Sequence, residues 1–104
     1  MLTDRTGEAL KAFADAKRGA LAAIGERAKE YARALAPVDT GRLRDSIGCA
    51  ADADAVRLFA AAPYAPYVEF GTGADPPRPF LEPAVAGHPD EYRAILEDAL
   101  RGTG

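Results

Sequence analysis

The sequence contains no tryptophan, one methionine and one cysteine among its 104 residues. A single cysteine excludes a disulfide within the chain and favours a reducing cytoplasm as the place of synthesis. Cys49 and His88 are each the only residue of their type. Metal sites with nitrogen or sulfur ligands need several such residues, so neither a metal nor another cofactor is predicted.

The chain also lacks a long apolar run and an excess of positive charge. No stretch approaches the roughly 18 apolar residues of a membrane span, and the N-terminus does not have the pattern of a signal peptide. The net charge is −3 and the pI is about 5.1. A general nucleic-acid binder would need a basic face for phosphates. Neither a membrane nor specifically bound DNA is therefore an expected partner.

Large apolar residues are scarce as well. Hydrophobic residues make up 48% of the chain, yet it has only four Phe and four Tyr, and alanine supplies much of the rest. A chain of this length predicts a single domain, residues 1–104, with a modest core. Association with other subunits would supplement so thin a core.

Apolar periodicity predicts two helices and a hairpin. The first helix spans residues 4–35, where apolar residues recur at the 3.6-residue period of one face; they are Leu10, Phe13, Leu21, Ile24, Ala28, Tyr31 and Leu35. Residues 47–52 and 55–61 read as strands joined by a turn at 52–54. Residues 89–101 carry a helical stripe that begins at Tyr92, and Pro89 suits the first turn. The first helix is long for so small a domain, which indicates contact with another subunit.

The tripeptide Asp39-Thr40-Gly41 has two interpretations. It is the catalytic signature of aspartic proteases, and a chain of this size suits a homodimeric, retroviral-type enzyme in which two such carboxylates share one proton. However, the protease places the tripeptide between β-strands, whereas here it follows a proline and a long helix. We favour a capped turn in which Asp39 or Thr40 accepts backbone N–H bonds, with Leu43 and Ile47 on one face.

Residues 64–80 form the least regular and most distinctive segment, rich in proline and bulky aromatics. A flexible linker would not contain so many aromatics. We expect one helical turn at 65–70, a structural turn at 71–73, an extended loop at 75–78, and Phe80, Leu81 and Val85 packed on the core. Glu69 needs a partner if it is buried. Either an arginine of the same chain or an intersubunit contact with Arg42, Arg44 or Arg78 would supply one.

Three blocks in order resemble the small neck and tail-completion proteins of tailed bacteriophages, prophages and gene-transfer agents: "APVDTGRLRDSI", "YAPYVEFGTG" and "PPRPFLEPAV" before a last helix. The resemblance covers nearly the whole chain. It implies an α+β fold, with a long N-terminal helix and a C-terminal helix packed on a small antiparallel β-sheet. "AGHPDE" departs from the family pattern and indicates a break before the last helix.

The same resemblance implies a non-enzymatic structural role in the virion, assembled in the host bacterial cytoplasm. It implies a homo-oligomeric ring of six or twelve subunits at the head–tail junction, in contact with connector and tail-tube proteins. DNA would pass through the channel without specific binding, which an acidic surface permits. Interfaces favour aromatic and arginine anchors. The candidate interface residues are Asp39, Arg42, Arg44, Tyr64, Tyr67, Glu69, Phe70, Arg78 and Phe80.

Overall fold

The computed structural model describes residues 2–37 and 41–102. The elements of this part of the chain are α1 (Leu2–Leu35), α2 (Arg42–Asp45), β1 (Ile47–Ala51), β2 (Val56–Ala60), α3 (Ala65–Phe70), α4 (Glu82–Ala86) and α5 (Pro89–Arg101). The strands pair antiparallel, with Ile47 opposite Ala60 and Ala51 opposite Val56. This is the predicted α+β fold, with long N- and C-terminal helices and a small antiparallel sheet.

Helix α1 is the axis of the molecule, and its two halves differ. It is about 51 Å long at about 1.5 Å per residue, in a molecule of 66 × 24 × 22 Å. Both strands, α2, α4 and α5 pack against it. We call residues 6–15, all of which are exposed, the arm, and residues 17–35 the packed half. The ion pair between Lys17 Nζ and Asp54 Oδ1, at 3.0 Å, joins the start of the packed half to the hairpin turn.

The core is narrow because alanine builds most of it. One cluster of buried residues contains Ala32, Ala36, Leu43, Ile47, Ala62, Ala65, Phe80 and Ala84. Phe80 is the largest fully buried side chain. Small side chains let α1 approach the other elements closely, and Phe80 fills the space that remains.

The hairpin packs on α1 at a glycine. A Cβ added to Gly25 would lie 2.7 Å from Val56 Cγ2 and 3.2 Å from Cys49 Sγ. Glycine at this position therefore reflects close packing of helix and hairpin, at a cost in helix propensity. Along β2, Val56, Leu58 and Ala60 are half-buried and alternate with exposed residues, as predicted.

Helix α5 is attached to α1 by a polar and aromatic cluster. His88, at the N-cap of α5, stacks on Tyr31 with ring centroids 3.6 Å apart. The Tyr31 hydroxyl donates to Glu91, and Arg27 Nε donates to the other oxygen of Glu91 at 2.6 Å. The hydrogen bond from Tyr31 and the bond and charge of Arg27 lower the pKa of Glu91 below its usual value. His88 is thus half-buried and packed against α1.

Some local predictions need correction. Three residues of the predicted apolar face of α1 are exposed, Leu10 at 64%, Phe13 at 45% and Leu35 at 48%, and near Leu35 the buried positions are Ala32 and Ala36. Val85 was assigned to the core but is 53% exposed, because α4 turns Ala84 inward instead. The helix α4 itself was not predicted. Asp39 and Thr40, proposed as caps, lie outside the described residues, and Gly41 with φ 79° occupies the N-cap of α2.

Candidate functional site

The segment from α3 to α4 is ordered by its own backbone. The N–H of Arg78 donates to Val68 O at 2.8 Å, and the N–H of Thr72 donates to Asp75 O at 2.9 Å. The Thr72 hydroxyl accepts from the N–H of Asp75 at 3.0 Å. Gly71 has φ 78°, and a Cβ there would lie 2.7 Å from Pro77 N. Glycine is therefore required where the chain leaves α3, and residues 71–78 fold back as a compact loop.

Glu69 closes this loop. One carboxylate oxygen, Oε1, accepts from the N–H of Phe80 at 3.0 Å and of Leu81 at 2.9 Å. The other, Oε2, accepts from the N–H of Glu82 at 3.1 Å. Glu69 is only 7% exposed. One side chain thus links the "YVEFGTG" block to the "PFLEPAV" block and satisfies the N–H groups that begin α4.

The charge state of Glu69 follows from these bonds. Burial by itself would raise the pKa of its carboxyl group, but the three backbone donors together outweigh burial and lower the pKa below the usual 4.5. The sequence left two partners open, an arginine of the same chain or an intersubunit contact with Arg42, Arg44 or Arg78. The first is wrong, because the partners within the subunit are the backbone N–H groups of residues 80–82. The local N–H groups satisfy the carboxylate without a counter-ion.

Two aromatic side chains of α3 point to solvent instead. Tyr67 is 63% and Phe70 is 78% exposed. A cleft of about 490 Å³ lies between α3 and the loop, lined by Tyr64, Tyr67, Val68, Thr72, Asp75, Pro76 and Arg78. Helix α3 therefore buries Ala65 and Glu69 on one face and presents aromatic surface on the other.

The candidate arginines do not converge on one atom, and only Arg42 and Arg78 lie near the cleft residues. The guanidinium of Arg42 lies 5.8 Å from the ring centroid of Tyr64. Arg44 Nε is 3.9 Å from Asp45 Oδ1, in a pair that is largely exposed. Arg78 is exposed and lies at the edge of the cleft. The structure groups Tyr64, Tyr67 and Arg78 in one cleft and places Phe80, 0% exposed, beneath it in the core.

The chemistry of an enzyme finds no support in this arrangement. The tripeptide Asp39-Thr40-Gly41 stands between helices α1 and α2 rather than between strands, and Asp39 lies outside the described residues. Within residues 2–37 and 41–102, no group of three or more His, Cys, Asp or Glu side chains could hold a metal ion. In the same part of the chain, no helix combines the length and the apolarity of a membrane span.

Comparison with known proteins supplies the family. No curated protein and no solved structure matches the chain significantly. Residues 2–71 match the family described as "HK97-gp10_like: Bacteriophage HK97-gp10, putative tail-component". The matched range contains α1, α2, the hairpin and α3, including Glu69, and stops where the 71–78 loop begins. The chain therefore belongs to the HK97-gp10-like family of bacteriophage tail components.

Proposed function

We propose that this chain is a structural assembly protein of the phage neck, of the tail-completion or tail-terminator type. It acts as an oligomeric ring of six or twelve subunits that joins the tail to the capsid at the head–tail junction of the virion. Its partners are further copies of itself, the head–tail connector and the tail-tube proteins. It has no enzymatic role, and DNA passes through the ring without specific contacts.

The exposed aromatic face of α3 is the observation that carries this proposal. Tyr67 and Phe70 are held on a short helix whose position is set by Glu69 and the returning loop, so little order remains to be gained on binding. Large aromatic side chains on a pre-ordered surface are typical of protein interfaces. In a tail component, another virion protein is the natural partner for such a surface.

The candidate residues fall into two roles in this proposal. Tyr67, Phe70 and Arg78 contact the partner directly, together with Arg42, Arg44 and the accessible edge of Tyr64. Glu69 and Phe80 are buried and support that surface from inside the subunit. Asp39, also a candidate interface residue, lies outside the described residues.

The experiment is complementation of a phage genome that lacks this gene. The double variant Tyr67→Ala, Phe70→Ala should reduce infectious titre at least about tenfold, since loss of a hot-spot contact costs on the order of 2 kcal/mol. Electron microscopy should show unjoined heads and tails. The thermal unfolding midpoint of the purified variant should stay close to that of the wild type, because both side chains are exposed.

Phe59→Ala is the matched control, since Phe59 is an aromatic residue of the hairpin with 45% exposure. It should leave the titre unchanged. Normal titre of the double variant would overturn the proposed surface. A double variant that loses titre and also unfolds at a much lower temperature would show that Tyr67 and Phe70 are needed for folding, and the interface assignment would then be withdrawn.

A further inference from the structure

The arm of α1 carries an apolar ridge that the subunit leaves exposed. Leu10 is 64% and Phe13 is 45% exposed. At 100° per residue, Leu10 shares the direction of Ala28, five turns further along α1. Ala28 is 5% exposed in the packed half. The face that packs on the hairpin therefore continues beyond it into the arm, with larger side chains.

An apolar groove lies on the other end of the molecule. It has a volume of about 410 Å³ and runs between the end of β2, α3 and α4. Pro66, Phe70, Leu81 and Val85 supply apolar lining, and Glu82 lies at its edge. Phe70 and Val85 are 78% and 53% exposed. The groove thus adjoins the aromatic face of α3 and offers apolar surface to a side chain from outside.

The arm of a subunit cannot occupy the groove of the same subunit. Ala84 of α4 packs with Ala32 in the core, and Leu10 is about 33 Å from Ala32 along a continuous helix. An apolar ridge and an apolar groove at separate places are the two different patches that a head-to-tail contact between copies requires.

The subunit exposes more surface than a compact monomer of its mass, and the excess can be compared with the area that a contact buries. The chain exposes 6994 Å², whereas a compact monomer of 10.9 kDa exposes about 5,600 Å². The excess, about 1,400 Å², is close to the roughly 1,600 Å² that a standard interface removes from water. In a head-to-tail ring each subunit gives one patch to each neighbour, so it loses this total.

One pair of opposite charges fits the contact. Lys11 follows Leu10 directly on the arm and is exposed, and Glu82 is exposed at the edge of the groove. The arm also carries the exposed acids Glu8 and Asp15, so the pairing of Lys11 with Glu82 would select the register of the contact and would add little to its strength.

We infer that the arm of one subunit docks in the α3–α4 groove of a second copy of this chain, with Leu10 and Phe13 inserted against Phe70 and Val85. The inference rests on the proposed function, because it specifies how the copies of the ring contact one another. It assigns an assembly role to residues 6–15, which make no contribution to the core of their own subunit.

Mixing two complementary variants tests this contact. The arm variant carries Leu10→Glu and Phe13→Glu, and the groove variant carries Phe70→Glu and Val85→Glu. All four side chains are exposed, so thermal unfolding should show folded protein in both cases. Sedimentation velocity and native mass spectrometry then measure association of the wild type, of each variant alone and of their equimolar mixture, in a concentration series.

The wild type should form closed oligomers, and each variant alone should dissociate at least about 100-fold more readily, as expected for loss of two anchor side chains. The mixture should form one-to-one heterodimers and nothing larger, because it contains one intact arm and one intact groove. Association of the groove variant alone would overturn the inference in favour of arm–arm pairing. A monomeric wild type would overturn it too, while the titre experiment would still decide the neck function separately.

Discussion

The two halves of α1 have the same apolar periodicity and opposite environments. In the packed half the inward positions are small, with Ala28 at 5% and Ala32 at 0% exposure. In the arm they are large, with Leu10 and Phe13 exposed. The fully buried residues of the packed half are all small, although the larger Ile24 and Tyr31 are half-buried there, whereas the large apolar residues of the arm are exposed. Exposed residues that retain the apolar pattern are typical of a surface for assembly.

The largest expected effect comes from comparing a buried phenylalanine with an exposed one on the arm. Phe80→Ala should lower the free energy of unfolding by about 3–5 kcal/mol, because it removes a fully buried ring and leaves a cavity. Phe13→Ala should change it by less than about 0.5 kcal/mol, as expected for a surface position. Urea denaturation followed by circular dichroism measures both. Similar losses would mean that the arm is part of the folding unit.

Glu69 gives the next largest effect and depends on pH. Glu69→Gln should lower the free energy of unfolding by about 2–3 kcal/mol at pH 7. Hydrogen bonds to a charged oxygen are replaced by weaker bonds to a neutral oxygen, and the new amide NH₂ group faces backbone N–H groups, which are also donors. The exposed Glu97→Gln is the control and should have almost no effect.

The pH dependence has a definite sign. The pKa of Glu69 is lower in the folded protein than the usual 4.5, so its stabilisation is present above pH 4.5 and is lost as the pH falls below that value. The stability difference between the wild type and Glu69→Gln should therefore narrow below pH 4.5. A stability difference between the two proteins that stays constant from pH 7 to pH 3 would contradict an ionised Glu69 in the folded protein.

Two glycines of α1 test where the helix is closely packed and where it is open. Gly25→Ala should lower stability by about 1–2 kcal/mol, because the strain of the new methyl group against Val56 and Cys49 exceeds its gain in helix propensity. Gly19→Ala meets nothing within 4 Å and should raise stability by up to about 1 kcal/mol. Thermal unfolding of both variants measures the two signs. Stabilisation by Gly25→Ala would mean that the helix and hairpin are less closely packed than described.

The smallest expected effect lies at the boundary between the halves. Lys17→Met removes the partly exposed ion pair with Asp54, which should be worth about 0.2–1 kcal/mol at low salt. The difference from the wild type should shrink in 0.5 M NaCl through screening. A loss well above 1 kcal/mol, insensitive to salt, would show that Lys17 contributes by packing its aliphatic stem instead.

Local pattern was enough to predict the two longest helices and the hairpin. The helical period located α1 and α5, and the two stretches at 47–52 and 55–61 located the hairpin. Such signals depend only on which neighbours a residue meets along its own helix or strand. The match to a phage tail family over residues 2–71 covers the first of the three blocks and most of the second, and the third block lies beyond it.

The hydrogen bonds of Glu69 and the positions of Leu35 and Val85 depend on contacts between segments that are distant in sequence. Nothing near Glu69 in sequence indicates that the N–H groups of residues 80–82 will face it. Its place between Val68 and Phe70 indicates only that it needs a partner if it is buried. Leu35 and Val85 were predicted wrongly because the neighbouring alanines occupy the buried positions and allow the elements to approach closely. Periodicity alone cannot tell whether the buried position is a small residue or the large residue next to it on the helix.

Amide hydrogen exchange along α1, in dilute purified protein and in purified tails, compares the two halves most directly. Residues 20–35 should be protected in both samples, because the packed half is covered by the subunit itself. Residues 6–15 should exchange rapidly in the dilute protein and become protected in the tails. Exchange of the arm that is equally fast in both samples, or equally slow in both, would contradict a role for the arm in assembly.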